Sequence, residues 1–178
     1  MADLVQKIVE VHRHLALAEL PHAFGGALAL AWCTERARGT IDIDINVFVD
    51  VDACEGVFAA LPAGVKVTRG DQKILRKEGQ VRVWWEKTPL DLFLNTTPYH
   101  REVANRIRWE QFGGEMIPFI ACLDIAVFKA FFNRSRDWVD IEEMQAAGTL
   151  DAGRVIRIMD EYLGSDDERI ASLRRISA

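Results

Sequence analysis

Residues 24–49 read FGGALALAWCTERARGTIDIDINVFV, and the alternation that closes this stretch decides how the rest of the chain is arranged. Ile41, Ile43, Ile45, Val47 and Val49 recur at every second position, the period of a strand with one buried face, and all five are β-branched. Asp42 and Asp44 fall between them, so both carboxylates leave the opposite face, roughly 7 Å apart at the backbone. Like charges held side by side repel one another, and a divalent cation or a basic group relieves the repulsion. Upstream, Gly25 and Gly26 open an apolar segment of helical character. A helix that starts on residues without Cβ atoms lets backbone N–H groups approach a phosphate, and its dipole favours the anion. A phosphate-binding turn and an acidic strand are therefore expected side by side. Taken singly, either motif is common on ordinary surfaces.

Further along, Val81, Val83 and Trp85 alternate with Arg82, Trp84 and Glu86, again with period two. Thr88-Pro89 marks a turn, and LDLFLN at 90–95 reads as a second strand, forming a hairpin beside the acidic strand. Asp91 sits in it among Leu90, Leu92, Phe93 and Leu94, where a lone charge must be paired, coordinated or protonated. Two readings stand open. Asp91 joins Asp42 and Asp44 as a third acid, and three acids can hold two Mg²⁺ ions that activate a hydroxyl and stabilise a leaving phosphate oxygen; or it pairs with Arg82 across the hairpin. Trp84 and Trp85 take opposite faces of their strand, so at least one belongs to the core while the other can stack on a base or an acceptor ring.

The chain has 178 residues, 49% hydrophobic and 28% charged, enough for one well-packed soluble unit. The expected organisation is a core over 1–120 with a helical part over 121–178 packed on it. A net charge of −5 gives no footprint for binding a long nucleic acid. The local basic run HREVANRIRW at 100–109 is either an RNA-binding surface or a solvated face. Cys33, Cys54 and Cys122 are far apart and in no metal-binding spacing, and are expected to be reduced thiols of a cytoplasmic protein. No signal-peptide pattern opens the chain and no apolar run reaches membrane-spanning length.

Helical spacing predicts a first helix over 3–18, on which His12 and His14 face different ways and read as surface or boundary residues. His22 begins a short strand over 22–24 that leads to Gly25, and either reaches the site or is an ordinary structural residue. Helices are expected over 51–61 and 69–78, the latter ended by Gly79, and one or two short helices over 151–178 broken at Gly164. Arg36 and Arg38 either bind phosphate, or balance Asp42 and Asp44 or cap the preceding helix. Lys129, in an apolar helix over 125–132, either reaches a triphosphate or pairs with Asp137 or Asp140, with Arg134 and Arg136 tying neighbouring helices through those acids.

Gly25-Gly26, then Thr40, Asp42 and Asp44 in RGTIDIDI, then Asp91 in PLDLF, resemble the signature of the polymerase-beta-like nucleotidyltransferase superfamily. DIAVFKAFFNRSRDWVDIEEM at 124–144 is similar to a family segment in which a helix bearing a Lys precedes Arg-x-x-Asp-x-x-Asp. This looks closest to the small bacterial branch related to abortive-infection (AbiEii-like) nucleotidyltransferases, and the likeness covers roughly residues 20–145. The resemblance implies an α/β (α+β) nucleotidyltransferase core, a mixed curved sheet flanked by helices, with a helical C-terminal part. It implies transfer of a nucleoside monophosphate from a nucleoside triphosphate to a hydroxyl, with Mg²⁺ held by Asp42, Asp44 and Asp91. The triphosphate would lie against Gly25 and Gly26, with Arg38, Thr40 and Lys129 in attendance. A small hydroxylated molecule such as an aminoglycoside, a partner protein of a toxin–antitoxin pair, or a tRNA end would each serve as acceptor. The other expectation is a non-catalytic binding module of the same fold, such as an antitoxin component.

Overall fold

The computed structural model describes residues 3–36 and 39–177, and they fall into two compact units. The first comprises residues 1–28 and 39–120; the second comprises 29–38 and 121–178.

The first unit holds a seven-stranded mixed sheet. Its strands are β1 (His22–Phe24), β2 (Ile43–Asp50), β3 (Val65–Lys66), β4 (Gln80–Trp85), β5 (Thr88–Asn95), β6 (Arg108–Phe112) and β7 (Glu115–Phe119), in the order β3-β4-β5-β2-β1-β7-β6. β5 runs parallel to β2 and β7 parallel to β1, while the other neighbours are antiparallel. The register of the β2–β5 pair follows from burial. Ile43, Ile45 and Val47 on β2 and Leu90, Leu92 and Leu94 on β5 are fully buried, and Ile43 faces Leu90 as Ile45 faces Leu92. Each such side chain contributes about 1.5–3 kcal/mol on burial. A slip by one residue would send this whole set to the other face, so the apolar row fixes the pairing.

Ile41, expected in that row, is 72% exposed. The ladder begins only at Ile43, and one step before Leu90 the partner strand offers Pro89, which has no N–H to give.

Helices α1 (Leu4–Leu17), α3 (Cys54–Ala59), α4 (Arg69–Glu78) and α5 (Pro98–Val103) belong to the first unit. Asp3 and Gln6 form a capping box at the start of α1, as Thr68 and Asp71 do for α4. Gly79 ends α4 at φ +69, and a Cβ there would lie 2.0 Å from the Thr96 side chain. From α1, the buried Lys7 donates to the Trp85 carbonyl, the Glu86 carboxylate and the Thr88 hydroxyl, securing the β4–β5 turn.

Helix α2 (Gly26–Thr34) starts in the first unit and continues into the second, which is otherwise built of α6 (Cys122–Phe132), α7 (Ser135–Ala146), α8 (Ala152–Leu163) and α9 (Glu168–Ile176). Ile125, Val127, Ile141, Met144, Val155, Met159, Ile170 and Leu173 are its buried centre. Gly164 separates α8 from α9. Cys33 and Cys122 are joined in a disulfide, which corrects the expectation of reduced thiols; Cys54 is free and buried. The two half-cystines are 89 residues apart, and only the packing of α2 beside the start of α6 brings them together. No spacing rule in the sequence reports such a pairing. None of the described helices is long and apolar enough to cross a membrane.

Candidate active site

The pairing that buries Ile43 against Leu90 also sets Asp44 directly opposite Asp91 on the other face of the sheet. Neighbouring strands lie about 4.8 Å apart, so the backbone positions of this pair are nearer than the roughly 7 Å between same-face residues of one strand. Asp42, just before β2, comes to the same place. Arg82 on β4, in register with Asp91, donates from Nε to Asp91 Oδ1 at 2.7 Å, from Nη2 to Asp91 Oδ2 at 2.6 Å, and from Nη2 to Asp42 Oδ2 at 3.3 Å. The bidentate fork is the stronger form of such a contact. Its bonds to Asp91, with the further charges of Asp42 and Asp44, push the Arg82 guanidinium well above its ordinary value. Of the two readings of Asp91, the structure displays the pairing with Arg82, and the strand register sets Asp91 opposite Asp44.

Gly25 and Gly26 adjoin this cluster. The Gly25 N–H donates to the Asp44 carbonyl at 2.9 Å, so that amide is spent on the fold. Gly26 has φ +53, and a Cβ on it would lie 1.8 Å from Asp44 Oδ2. The carboxylate occupies the space that any side chain would fill, which is the physical demand for glycine here. The amides of α2's first turn, beginning with Gly26, are those that a helix N-terminus presents to an anion.

Thr40 has a local role, since its hydroxyl accepts from the Asp42 N–H at 3.1 Å and holds the backbone of that residue. Arg38 lies outside the described residues. Lys129 belongs to the second unit, where its ammonium meets Asp140 at 2.5 Å and Asp137 at 3.4 Å; of its two expected roles, the structure displays the ion pair. Arg134 also bonds Asp137 and caps α7. Burial opposes the charge of Asp137, but Arg134 and Lys129 hold its carboxyl below the ordinary range.

Three further polar residues were not singled out from the sequence. Asn46 continues the row of Asp42 and Asp44, is buried, and accepts from His100 Nε2 at 3.1 Å. Burial lowers the pKa of His100. A DxDxN alternation was the available signal for Asn46, whereas nothing local announces His100. Asn95, four residues beyond Asp91, has a buried Oδ1 with no hydrogen-bond partner among the described residues. On β4, Trp84 shares the face of Arg82 and is 46% exposed, while Trp85 is buried. The arginines of the 100–109 run are engaged with acids: Arg101 with Asp50, Arg106 with Glu102, and Arg108 with Glu110.

His22 does not turn toward the acids. Its Nδ1–H donates to the Leu20 carbonyl at 2.7 Å, so its Nε2 accepts from His12 Nδ1–H at 2.9 Å. A carbonyl cannot donate, and this fixes both tautomers. Burial, with a smaller effect from His12, lowers His22 to about 4.

As they stand, no three His, Cys, Asp or Glu side chains among the described residues are grouped to hold a metal ion. The donor set nevertheless fits a hard divalent cation: carboxylate oxygens from Asp42, Asp44 and Asp91, beside a glycine turn, with a guanidinium bonded to two of them.

The sequence matches no family model and no curated protein. Likeness is found among solved structures. The solution structure of the antibiotic-resistance factor ANT(2'')-Ia aligns over 96% of this chain and 95% of its own, at 15% identity and a TM-score of 0.57. JHP933 from Helicobacter pylori aligns over 99% and 91%, at 14% identity and a TM-score of 0.46. An antigenic nucleotidyltransferase-like protein from Paracoccidioides brasiliensis aligns over 94% and 91%, at 12% identity and a TM-score of 0.47. What the chain shares with ANT(2'')-Ia is its fold, a mixed α/β architecture.

Proposed function

We propose that the protein is an Mg²⁺-dependent nucleotidyltransferase that moves a nucleoside monophosphate from a nucleoside triphosphate to a hydroxyl. The observation that carries this reading is the register of Asp44 opposite Asp91, with Asp42 alongside and Gly26 beneath the Asp44 carboxylate. The likeness in fold to ANT(2'')-Ia supports it. Asp42, Asp44 and Asp91 would hold Mg²⁺, which supplies neutralising charge for the triphosphate and for the developing oxyanion. The first-turn amides of α2 receive phosphate oxygens. Asp91 takes the proton of the acceptor hydroxyl as its oxygen bonds the α-phosphorus, and pyrophosphate leaves with the electron pair of the bond that breaks. Positioning and charge suffice for such a step, so no protein nucleophile is needed. Trp84 is the aromatic surface on the same face, available to a base or to an acceptor ring.

For the acceptor we favour a small cationic, hydroxylated compound of the aminoglycoside kind. The negative balance of the chain suits such a ligand, and the neighbour in fold is an antibiotic-resistance factor. The branch resemblance would instead favour a partner protein or a tRNA end. We place the reaction in the cytoplasm because it needs nucleoside triphosphate, although a disulfide such as Cys33–Cys122 is rare there. One observation favours the second reading, a non-catalytic module: Arg82 already neutralises two of the acids without metal.

Calorimetric titration of ATP, GTP, CTP and UTP with Mg²⁺ into wild type and Asp42→Ala/Asp44→Ala tests the choice. We expect metal-dependent binding of at least one triphosphate, lost in the double variant. Binding that ignores both acids, or no binding at all, would leave the non-catalytic module in possession.

A further inference from the structure

We propose that Arg82 is the built-in counter-ion of the acid cluster, and that the site loads its metal by exchanging the Arg82 guanidinium for a divalent cation. The inference rests on the nucleotidyltransferase reading of the site. Arg82 makes two bonds to Asp91 and one to Asp42, so it takes up carboxylate oxygens that a metal would use. Its side chain is 48% exposed, against 18% for that of Asp91. The guanidinium can therefore swing into solvent while the carboxylate stays where β5 holds it. Val81 and Val83, on either side of Arg82, are buried, so β4 stays anchored through such a movement.

The arrangement answers a requirement of the fold. The apolar rows force Asp44 and Asp91 together whether or not metal is present, and without a cation the metal-free protein would carry uncompensated repulsion. Arg82 supplies that cation and stands on the strand next to Asp91. Once displaced, it remains a positive charge at the rim of the site, where triphosphate oxygens would arrive. Arg82 is thus a positioning residue: it acts through Asp91 and Asp42, and it competes with metal for them.

A purely structural arginine would support the carboxylates, and its loss would weaken metal binding or leave it unchanged. A competing arginine predicts the opposite. Mn²⁺ alone, without nucleotide, is titrated calorimetrically into wild type, Arg82→Met and Arg82→Lys. We expect Arg82→Met to bind Mn²⁺ about fivefold more tightly, the scale of a half-exposed ion pair removed from competition. Its metal-free form should melt about 2–4 °C lower, with Mn²⁺ restoring more of that loss than it adds to wild type. Arg82→Lys keeps a charge but not the fork, so it should fall between the two, and it reports if the methionine variant fails to fold. Equal or weaker Mn²⁺ binding in folded variants overturns the exchange while leaving the metal site standing. If none of the three proteins binds Mn²⁺, the metal reading itself falls and the exchange with it.

Discussion

Two clusters of charge, one on the sheet and one among the helices, are built from the same residue types and differ in what they leave available. In the second unit, Lys129 and Arg134 face Asp137 and Asp140, two positive charges against two negative; both acids are about 1% exposed. On the sheet, Asp42, Asp44 and Asp91 gather around Arg82 and all remain within reach of solvent. A buried, balanced cluster is matched to itself and serves the fold. A half-exposed cluster with more acid than base can still bind something from solution.

Breaking the helical cluster should have the larger effect on stability. Lys129→Met would leave Asp137 with Arg134 but strip Asp140 of its 2.5 Å partner. The expected loss is about 3–5 kcal/mol, the usual cost of removing one partner of a buried ion pair. Chemical denaturation measures it directly. A loss under about 1 kcal/mol would mean that this cluster is as loosely held as a surface pair, and the contrast with the sheet would disappear.

Acid should separate the two units in a second way. The folded value of His22, about 4, lies below its ordinary 6.5, so the unfolded chain takes up a proton first. The stabilisation is complete above pH 6.5 and is lost as the pH falls toward 4, about 3 kcal/mol in all. Asp137 is also depressed, from the ordinary carboxylate value of 3.8, so its contribution survives until the pH falls below that range. Hydrogen exchange at pH 5 should therefore show β1 and its surroundings losing protection while α7 keeps it. Equal loss in both units would mean that the His12–His22 bond does not hold β1.

How much of this was legible in advance depends on the range over which each feature is determined. Strand alternation and helix punctuation act within a few residues, and β4, α4 up to Gly79 and the break at Gly164 could be read directly; the β4–β5 turn was misplaced, since it falls at Glu86 and Lys87 while Thr88 and Pro89 already pair with Trp85 and Trp84. That Asp91 needs a partner was legible too, because a charge among leucines has few places to go. The start of β2 was not, since Ile41 looks like its neighbours and yet the ladder begins only at Ile43. Cys33 with Cys122, Asn46 with His100 and His12 with His22 are meetings between distant segments, and nothing in the local pattern of either partner announces the other. Arg82 was intermediate: the pairing with Asp91 was foreseen, but not its reach to Asp42.

The smallest effect on stability should come from a change at the heart of the sheet cluster. Asp44→Asn keeps the shape above Gly26 but removes one of three mutually repelling charges. Folding stability should shift by no more than about 1 kcal/mol, and relief of the repulsion can make the shift favourable. Metal affinity should behave in the opposite way, with Mn²⁺ binding weakened about tenfold or more, because an amide oxygen brings no charge to a hard cation. A thermal melt and an Mn²⁺ titration on the same sample read both quantities. If the variant is several kcal/mol less stable and binds Mn²⁺ as wild type does, the carboxylate serves the fold, and the sheet cluster joins the helical one as a structural device. A variant of ordinary stability that has lost its metal would mean that the fold keeps Asp44 beside Asp91 for what the pair can hold.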